Sequence, residues 1–307
     1  MPVKSKITAP FIDIRLDRQL EADYDGDVFV WDIDKTYLQT HFSSLRGLLA
    51  IPIEFAVDKK AVPGAVPLLR ALRRGPAEIP DVVPLFFASG SPPQLRRVVE
   101  RKMNLDGVQF DGIAFKDQWG LVKAGRPKGV KEQVGYKLSA LLMIRQNASA
   151  NAKWHLFGDD VESDAEVFSL FGEVCAGLTD GPLERELEAH GVHAKDQAIV
   201  AELVDEQREM IGGENPVANI FIHLDRNTPP EQFANKKCNH DKVIPIHGFI
   251  QAALVLAQQE KIASDAVIAV ASDTRRCRIP EDRVSFMLED ARSRLHIEDK
   301  FLRLARR

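Results

Sequence analysis

The 307-residue chain carries 41 Lys and Arg against 45 Asp and Glu, a net charge of −4. With a pI near 6.1, it lacks the basic surplus of a general nucleic-acid binder. Its 45% hydrophobic content suffices for a sizeable core, and the length allows one large domain or two of ordinary size. Cys175, Cys238 and Cys277 are odd in number and widely spaced, so no disulfide framework is implied and a cytoplasmic location is expected. No transmembrane segment is expected, because no apolar run approaches the ~20 residues that span a bilayer. Residues 1–13 lack the apolar stretch of roughly 7–15 residues found in a secretory signal.

In chain order, apolar runs predict strands near 28–33, 82–88, 108–115, 154–157, 173–176 and 218–224, with a further short strand at 242–246. Several are continuously apolar, as expected of parallel strands covered on both faces. Helical patterns fall at about 65–73, 92–102, 130–146, 164–171, 183–190, 194–211 and 249–257. This alternation predicts an α/β fold, a doubly wound parallel sheet. The expected boundaries are a catalytic domain over 22–262 and a helical C-terminal extension, 263–307, packed on the core. Pro182 and Gly212-Gly213 bracket a helical insertion at about 183–211, placed between the last core strand and the 218–224 strand.

Three predicted strands lead into chemistry-bearing residues. The run at 28–31 stops at Asp32-Ile33-Asp34-Lys35-Thr36, which sets two carboxylates at the carboxyl end of a sheet, where open α/β sheets hold ligands. Two clustered acids repel unless a cation or a shared proton offsets them, so a divalent metal or strongly split pKa values are expected. The second run is followed by Ser89-Gly90-Ser91-Pro92. The third is followed by Gly158-Asp159-Asp160, with Asp164 four residues beyond. Lys131 and Lys137 lie in or just before the amphipathic stretch that ends near Ile144.

This ordered set resembles the haloacid dehalogenase (HAD) superfamily and, within it, the phosphatidate phosphatase App1-like catalytic domain. That group carries D-I-D-D-T, V-P-G, S-x-S-P, K-L-x-x-[IL] and G-D-S-x-x-x-D-x-E-[IV]-[YF] segments. The matching residues here are Asp32 to Thr36, Val62-Pro63-Gly64, Ser89 to Pro92, Lys137-Leu138 and Gly158 to Phe168. Lys35 stands where the pattern has an acid, and Asp160 stands where it has Ser; both changes could alter what is bound. The resemblance implies a HAD-like Rossmannoid sheet. Caps in the superfamily enter after the first motif or between the second and third. Both stretches, 37–63 and 93–137, are short, so the cap is expected to be small or absent and the site open.

The resemblance also implies roles. Asp32 would attack phosphorus and form an aspartyl-phosphate, and Asp34 would serve as general acid and base. Asp34 would also reach Mg²⁺ through its backbone carbonyl. Thr36, Ser89 and Gly90 would bind phosphoryl oxygens, with Ser91-Pro92 opening a helix whose positive end favours an anion. A lysine, Lys137 or Lys131, would neutralise the growing charge. Asp32 and Asp159 would ligate the Mg²⁺ cofactor, with Asp160 or Asp164 holding metal-bound water. The implied enzyme is a Mg²⁺-dependent phosphomonoester hydrolase, acting on phosphatidate-like or other bulky esters, or on a nucleotide, sugar phosphate or phosphoprotein. The competing class is a non-catalytic phosphate-ligand-binding or interaction protein on the same scaffold.

Three further features invite functional readings. Lys116, Trp119, Lys123, Arg126, Lys128 and Lys131 follow a strand and form either a solvated loop or a receiver for a second phosphate, lipid headgroup or nucleotide. Cys238, His240 and His247 match no structural zinc spacing. The tail from 281 to 307 places Val284, Met287, Leu288, Ala291 and Leu295 on one helical face. Its charges are mixed in sign, so it is expected to dock on its own domain, or on a second copy as a homodimer, rather than on a membrane.

Overall fold

The computed structural model describes residues 11–39, 59–79, 81–126, 129, 132–234 and 241–307. Its centre is β2, Asp27–Asp32, whose Val28 to Asp32 are all buried. Val28 and Val30 face one apolar cluster, Phe29 and Trp31 the other. Burial on both faces is what a continuous apolar run requires of a parallel strand.

From β2 the chain winds outward through α1 (Ala65–Arg74), β3 (Leu85–Ser89), a 3₁₀ turn at Pro93–Leu95, α2 (Arg96–Leu105) and β4 (Gly112–Lys116). The short α3 (Gln118–Lys123) and the long α4 (Val134–Arg145) lead back to β5 (Lys153–Asp159) on the opposite side of β2. Then follow α5 (Asp164–Ala176), α6 (Asp180–Ala189), α7 (Ala194–Glu206), β6 (Val217–His223), α8 (Glu231–Ala234) and β7 (Val243–Ile246). With β1 (Ile12–Leu16) the sheet has the order β1-β4-β3-β2-β5-β6-β7. All neighbours are parallel except β1 and β4. The winding reverses between β2 and β5, so the switch point, where such sheets bind ligands, lies at the carboxyl ends of those two strands.

Four helices complete the chain: α9 (Phe249–Gln258), α10 (Ala266–Arg276), α11 (Glu281–Ser293) and α12 (Asp299–Ala305). Their apolar residues, among them Val270, Leu288 and Leu302, join one cluster with Trp31, Phe87 and Phe157 of the sheet. Trp31 stacks on Phe157 at 4.2 Å and on Phe249 of α9 at 5.0 Å. The 263–307 segment therefore shares the core of the sheet's face.

Several expectations are corrected here. Residues 173–176 form the last turn of α5 rather than a strand. A short apolar run fits either state, and this one ends at Gly177, whose φ of 120° closes the helix. Consequently β6 pairs directly with β5, and the helices α6 and α7 follow a helix, not a strand. The antiparallel edge strand β1 was not anticipated, although Ile12, Ile14 and Leu16 alternate as an edge strand should. The tail is two helices, broken near His296, where φ is 53°. The helix α10 before it carried no sequence signal strong enough to be assigned. Residues 40–58 of the first cap position, and Lys128, Lys131, Cys238 and His240, lie outside the described residues.

Candidate active site

Asp32 is the final residue of β2 and Asp159 the final residue of β5, on adjacent strands. Asp164 opens α5, and Gly158 permits its approach: a Cβ there would collide with the Asp164 carboxylate and lie 2.5 Å from its Cβ. The three carboxylates are buried, and one oxygen from each lies within 4.8 Å of the others. Lys137, in the first turn of α4, enters from below. Its ammonium is 3.0 Å from Asp32 Oδ1 and 2.8 Å from Glu162 Oε2, and it donates to Asp164 Oδ1.

Around this centre, backbone and side chains fix the loops. Asp159 Oδ1 accepts from the Val161 and Glu162 N–H groups, and Asp164 Oδ2 accepts from the Asp159 N–H at 3.1 Å. What remains is informative. Neither oxygen of Asp32, nor Asp159 Oδ2, nor Thr36 Oγ1 accepts or makes a hydrogen bond. Lys137 approaches Asp32 as an ion pair whose alignment is not that of a hydrogen bond. Buried polar atoms of this kind cost free energy unless something satisfies them.

Four carboxylates against one ammonium give the centre a formal charge of −3. Burial raises Asp32 well above the ordinary carboxylate range, and Asp164, Glu162 and Asp159 add to it against Lys137. Burial and the Asp164 charge push Asp159 up to about 8. Burial would lower Lys137, but Asp164, Asp32 and Glu162 outweigh it and hold the ammonium charged. Glu162 is half-buried; desolvation would raise it, yet Lys137 keeps it below its ordinary value. An all-oxygen donor set with unsatisfied atoms and excess negative charge could hold a divalent metal ion.

Asp34 is half-buried and points to the neighbouring loop, its Oδ2 accepting from Ser89 Oγ at 3.1 Å and Ser91 Oγ at 2.6 Å. Ser91 therefore serves Asp34 rather than capping the following helix, whose N-cap is Pro92. Ser89 Oγ also accepts from the Ser91 N–H. Tyr136 donates to the Ser89 carbonyl and Gln118 to that of Gly90, which fixes the loop's backbone. Lys35 takes φ of 63°, a left-handed conformation that turns the chain back so that Tyr37 and Leu38 donate to the Ile33 carbonyl.

Asp160, expected beside the metal, is outside the acid group. Its two oxygens accept from the Arg226 and Thr228 N–H groups at 2.9 and 3.1 Å, because the loop after β6 runs alongside and needs its donors satisfied. The basic loop is corrected too. Lys116 is buried, donates to the Glu132 carbonyl, and is held down to about 8 by burial. Arg126 forms a bidentate pair with Asp196 and lies over Phe11. Sequence reasoning missed Glu162 and the Asp34 contact of Ser91. Glu162 is three residues past Asp159, but nothing in the sequence separates it from a surface acid.

Fold and site together describe an α/β protein with a buried acid group at the switch point of a mostly parallel sheet. Residues 28–175 match the family model of the phosphatidate phosphatase APP1 catalytic domain, from β2 to the end of α5. The loop after β6 and helices α9–α12 lie beyond the matched stretch. No curated protein and no solved structure matches the chain. Among the described residues no helix is long and apolar enough to cross a membrane.

Proposed function

We propose that this chain is a HAD-type phosphomonoester hydrolase with Asp32 as its nucleophile. The observation that carries the reading is Asp32 itself: a buried carboxylate with no hydrogen-bond donor on either oxygen, beside Lys137 and within one coordination sphere of Asp159 and Asp164. A purely structural aspartate in the core would have its lone pairs filled. The match to a phosphatase catalytic domain over 28–175 supports the same class.

Mg²⁺ fits the donors, since it takes carboxylate oxygens and keeps water and phosphate in its remaining positions. Held by Asp32, Asp159 and Asp164, it would neutralise charge on the phosphoryl group and on the acids around it. The chain's own groups perform the rest. Asp32 attacks phosphorus in line with the leaving oxygen, forming a phosphate–carboxylate anhydride. Asp34 protonates that oxygen, then removes a proton from the water that hydrolyses the anhydride and regenerates Asp32. Lys137 holds the attacking carboxylate and offsets the charge that grows between it and phosphorus. The hydroxyls of Thr36, Ser89 and Ser91 and the Gly90 loop orient the phosphoryl oxygens, so that positioning and electrostatics supply most of the rate.

Phosphatidate, from the name of the matched family, is the first ester to test. The decisive measurement is phosphate release from p-nitrophenyl phosphate and from detergent-dispersed phosphatidate, with Mg²⁺ and with chelator. Turnover is expected only with the metal, and Asp32→Asn is expected to lose about 10³-fold or more in kcat. Because Asn removes a buried, unsatisfied charge, the same substitution should raise the unfolding midpoint. Wild-type-like turnover by Asp32→Asn rejects the nucleophile.

A further inference from the structure

Beyond the carboxyl ends of β2, β6 and β7 lies a cavity of about 210 Å³. It adjoins the acid centre on two sides. Lys35, on its wall, is next in the chain to Asp34, and His223, also on its wall, pairs in register with Asp159 across β5 and β6, about 4.8 Å away between backbones. Its apolar floor is Val62, Ile279 and Met287, and its charged groups are Lys35, Arg283 and Asp225.

Two cations against one acid make this a pocket with a positive surplus, and both cations are aimed by the fold. After the left-handed turn at Lys35, its ammonium lies 3.4 Å from Asp225. Its carbonyl is held by His223 Nδ1 at 3.1 Å. Arg283 projects from the first turn of α11 and donates to Asn227 Oδ1 at 3.1 Å. The same loop that receives both side chains is anchored by Asp160. Thus the two departures from the D-I-D-D-T and G-D-S patterns, Lys35 and Asp160, converge on one segment. Lys35 reverses a charge at the pocket wall, and Asp160 fixes the loop that forms another wall. Arg283, Ile279 and Met287 come from outside the stretch that matches the phosphatase family.

We infer that this pocket receives the alcohol part of the substrate and selects phosphate esters carrying a second anionic group, bound by Lys35 and Arg283. The inference rests on the phosphatase reading of the adjoining centre. The cavity is smaller than the ~300–1,000 Å³ of sites that enclose a drug-sized ligand, so it takes a short polar alcohol. Phosphatidate, with two long acyl chains and no second anion, is a poor occupant.

The test uses the full chain with Mg²⁺ and a matched pair, glycerate 3-phosphate and glycerol 3-phosphate, which differ only in carboxylate against hydroxymethyl. The wild type is expected to favour the glycerate ester by about tenfold in kcat/KM, the scale of a charge-assisted hydrogen bond. Arg283→Gln, at an exposed position, should bring the ratio near one. Lys35→Asp should invert it, and Asp tolerates the left-handed backbone. Circular dichroism and unfolding midpoints confirm that each variant is folded. A wild-type ratio near one, or a ratio unmoved by both variants, overturns the pocket inference and leaves the phosphatase reading standing. If the wild type hydrolyses neither ester, nor p-nitrophenyl phosphate, nor phosphatidate, that reading falls. The pocket is then judged by calorimetric binding of D-glycerate: saturable binding weakened about fivefold or more by Arg283→Gln upholds it, and no binding overturns it.

Discussion

The two ends of β2 and β5 hold buried polar groups built on opposite terms. At the amino end, roughly 16 Å from the acid centre along the strand, Asp27 accepts from Lys261 at 2.9 Å on both oxygens and from His155 Nε2 at 2.9 Å. His155 Nδ1 accepts from Asn219, which exchanges hydrogen bonds with Gln259. One acid meets one ammonium, and the imidazole is neutral because it donates from one nitrogen and accepts on the other. At the carboxyl end four acids surround one ammonium, and four of their oxygens, both of Asp32, Asp159 Oδ2 and Glu162 Oε2, have no hydrogen-bond partner. Asp27 and Lys261 are half-buried, 21% and 24% exposed, but His155 is as buried as Asp32, so burial alone does not separate structure from chemistry. Completeness does: a satisfied network stabilises the fold, whereas the unsatisfied acid group could hold a metal ion.

The sharpest way to break this contrast is Lys137→Met. Removing the one ammonium that, among the described residues, is ion-paired with these acids should cost about 3–5 kcal/mol, read as a lowered unfolding midpoint without metal. Mg²⁺ should then stabilise the variant more than the wild type; an equal metal response in both would mean that the acids do not share one ion. Gly158→Ala comes next. By pushing Asp164 out of the centre it should cost about 10²-fold in kcat, together with weaker Mg²⁺ stabilisation. Unchanged activity would show that Asp164 is dispensable. His155→Leu at the other end should cost about 1–3 kcal/mol, because Asp27 and Asn219 each lose a partner, while turnover stays at the wild-type level.

The smallest effect is a pH slope. Burial holds His155 below its ordinary value, against the opposing pull of Asp27. An unfolded histidine takes its proton near pH 6.5. Below about that pH the unfolded state therefore binds more protons than the folded one, and stability falls as pH falls. Burial would raise Asp27, yet His155 and Lys261 hold it below its ordinary value. Its contribution is present above about pH 4 and is lost as pH falls through the folded value. The wild type should thus lose stability below about pH 6.5 by a margin that His155→Leu does not show. Parallel pH profiles for the two proteins would remove the neutral imidazole from this account.

What could be read from the chain was local. The strand-end acids Asp32 and Asp159, the Ser89-Gly90-Ser91 loop, and Lys137 at a helix start each sit in a segment whose apolar run or turn residues announce the element before it. The segment at 173–176 failed for the same reason that others succeeded, since the short apolar run Val174-Cys175-Ala176 looks alike in a buried strand and a helix's last turn. Edge strand β1 was overlooked because its alternation is only half apolar. Glu162, the Asp34 contact of Ser91 and the Arg283 wall carry no local signal. Their importance comes from what they face, and that is set by contacts far away in sequence.

The sequence by itself determined which residue types stand at the ends of the central strands, because hydrophobic period and turn chemistry act over a few residues. Only the tertiary structure decided how those residues are shared out. The chain order sets β5 against β2, so Asp159 and Asp164 meet Asp32. The loop after β6 draws Asp160 and the Lys35 side chain to itself. Charge and hydrogen-bond satisfaction are properties of a place in space, and that place exists only once the sheet has closed around it.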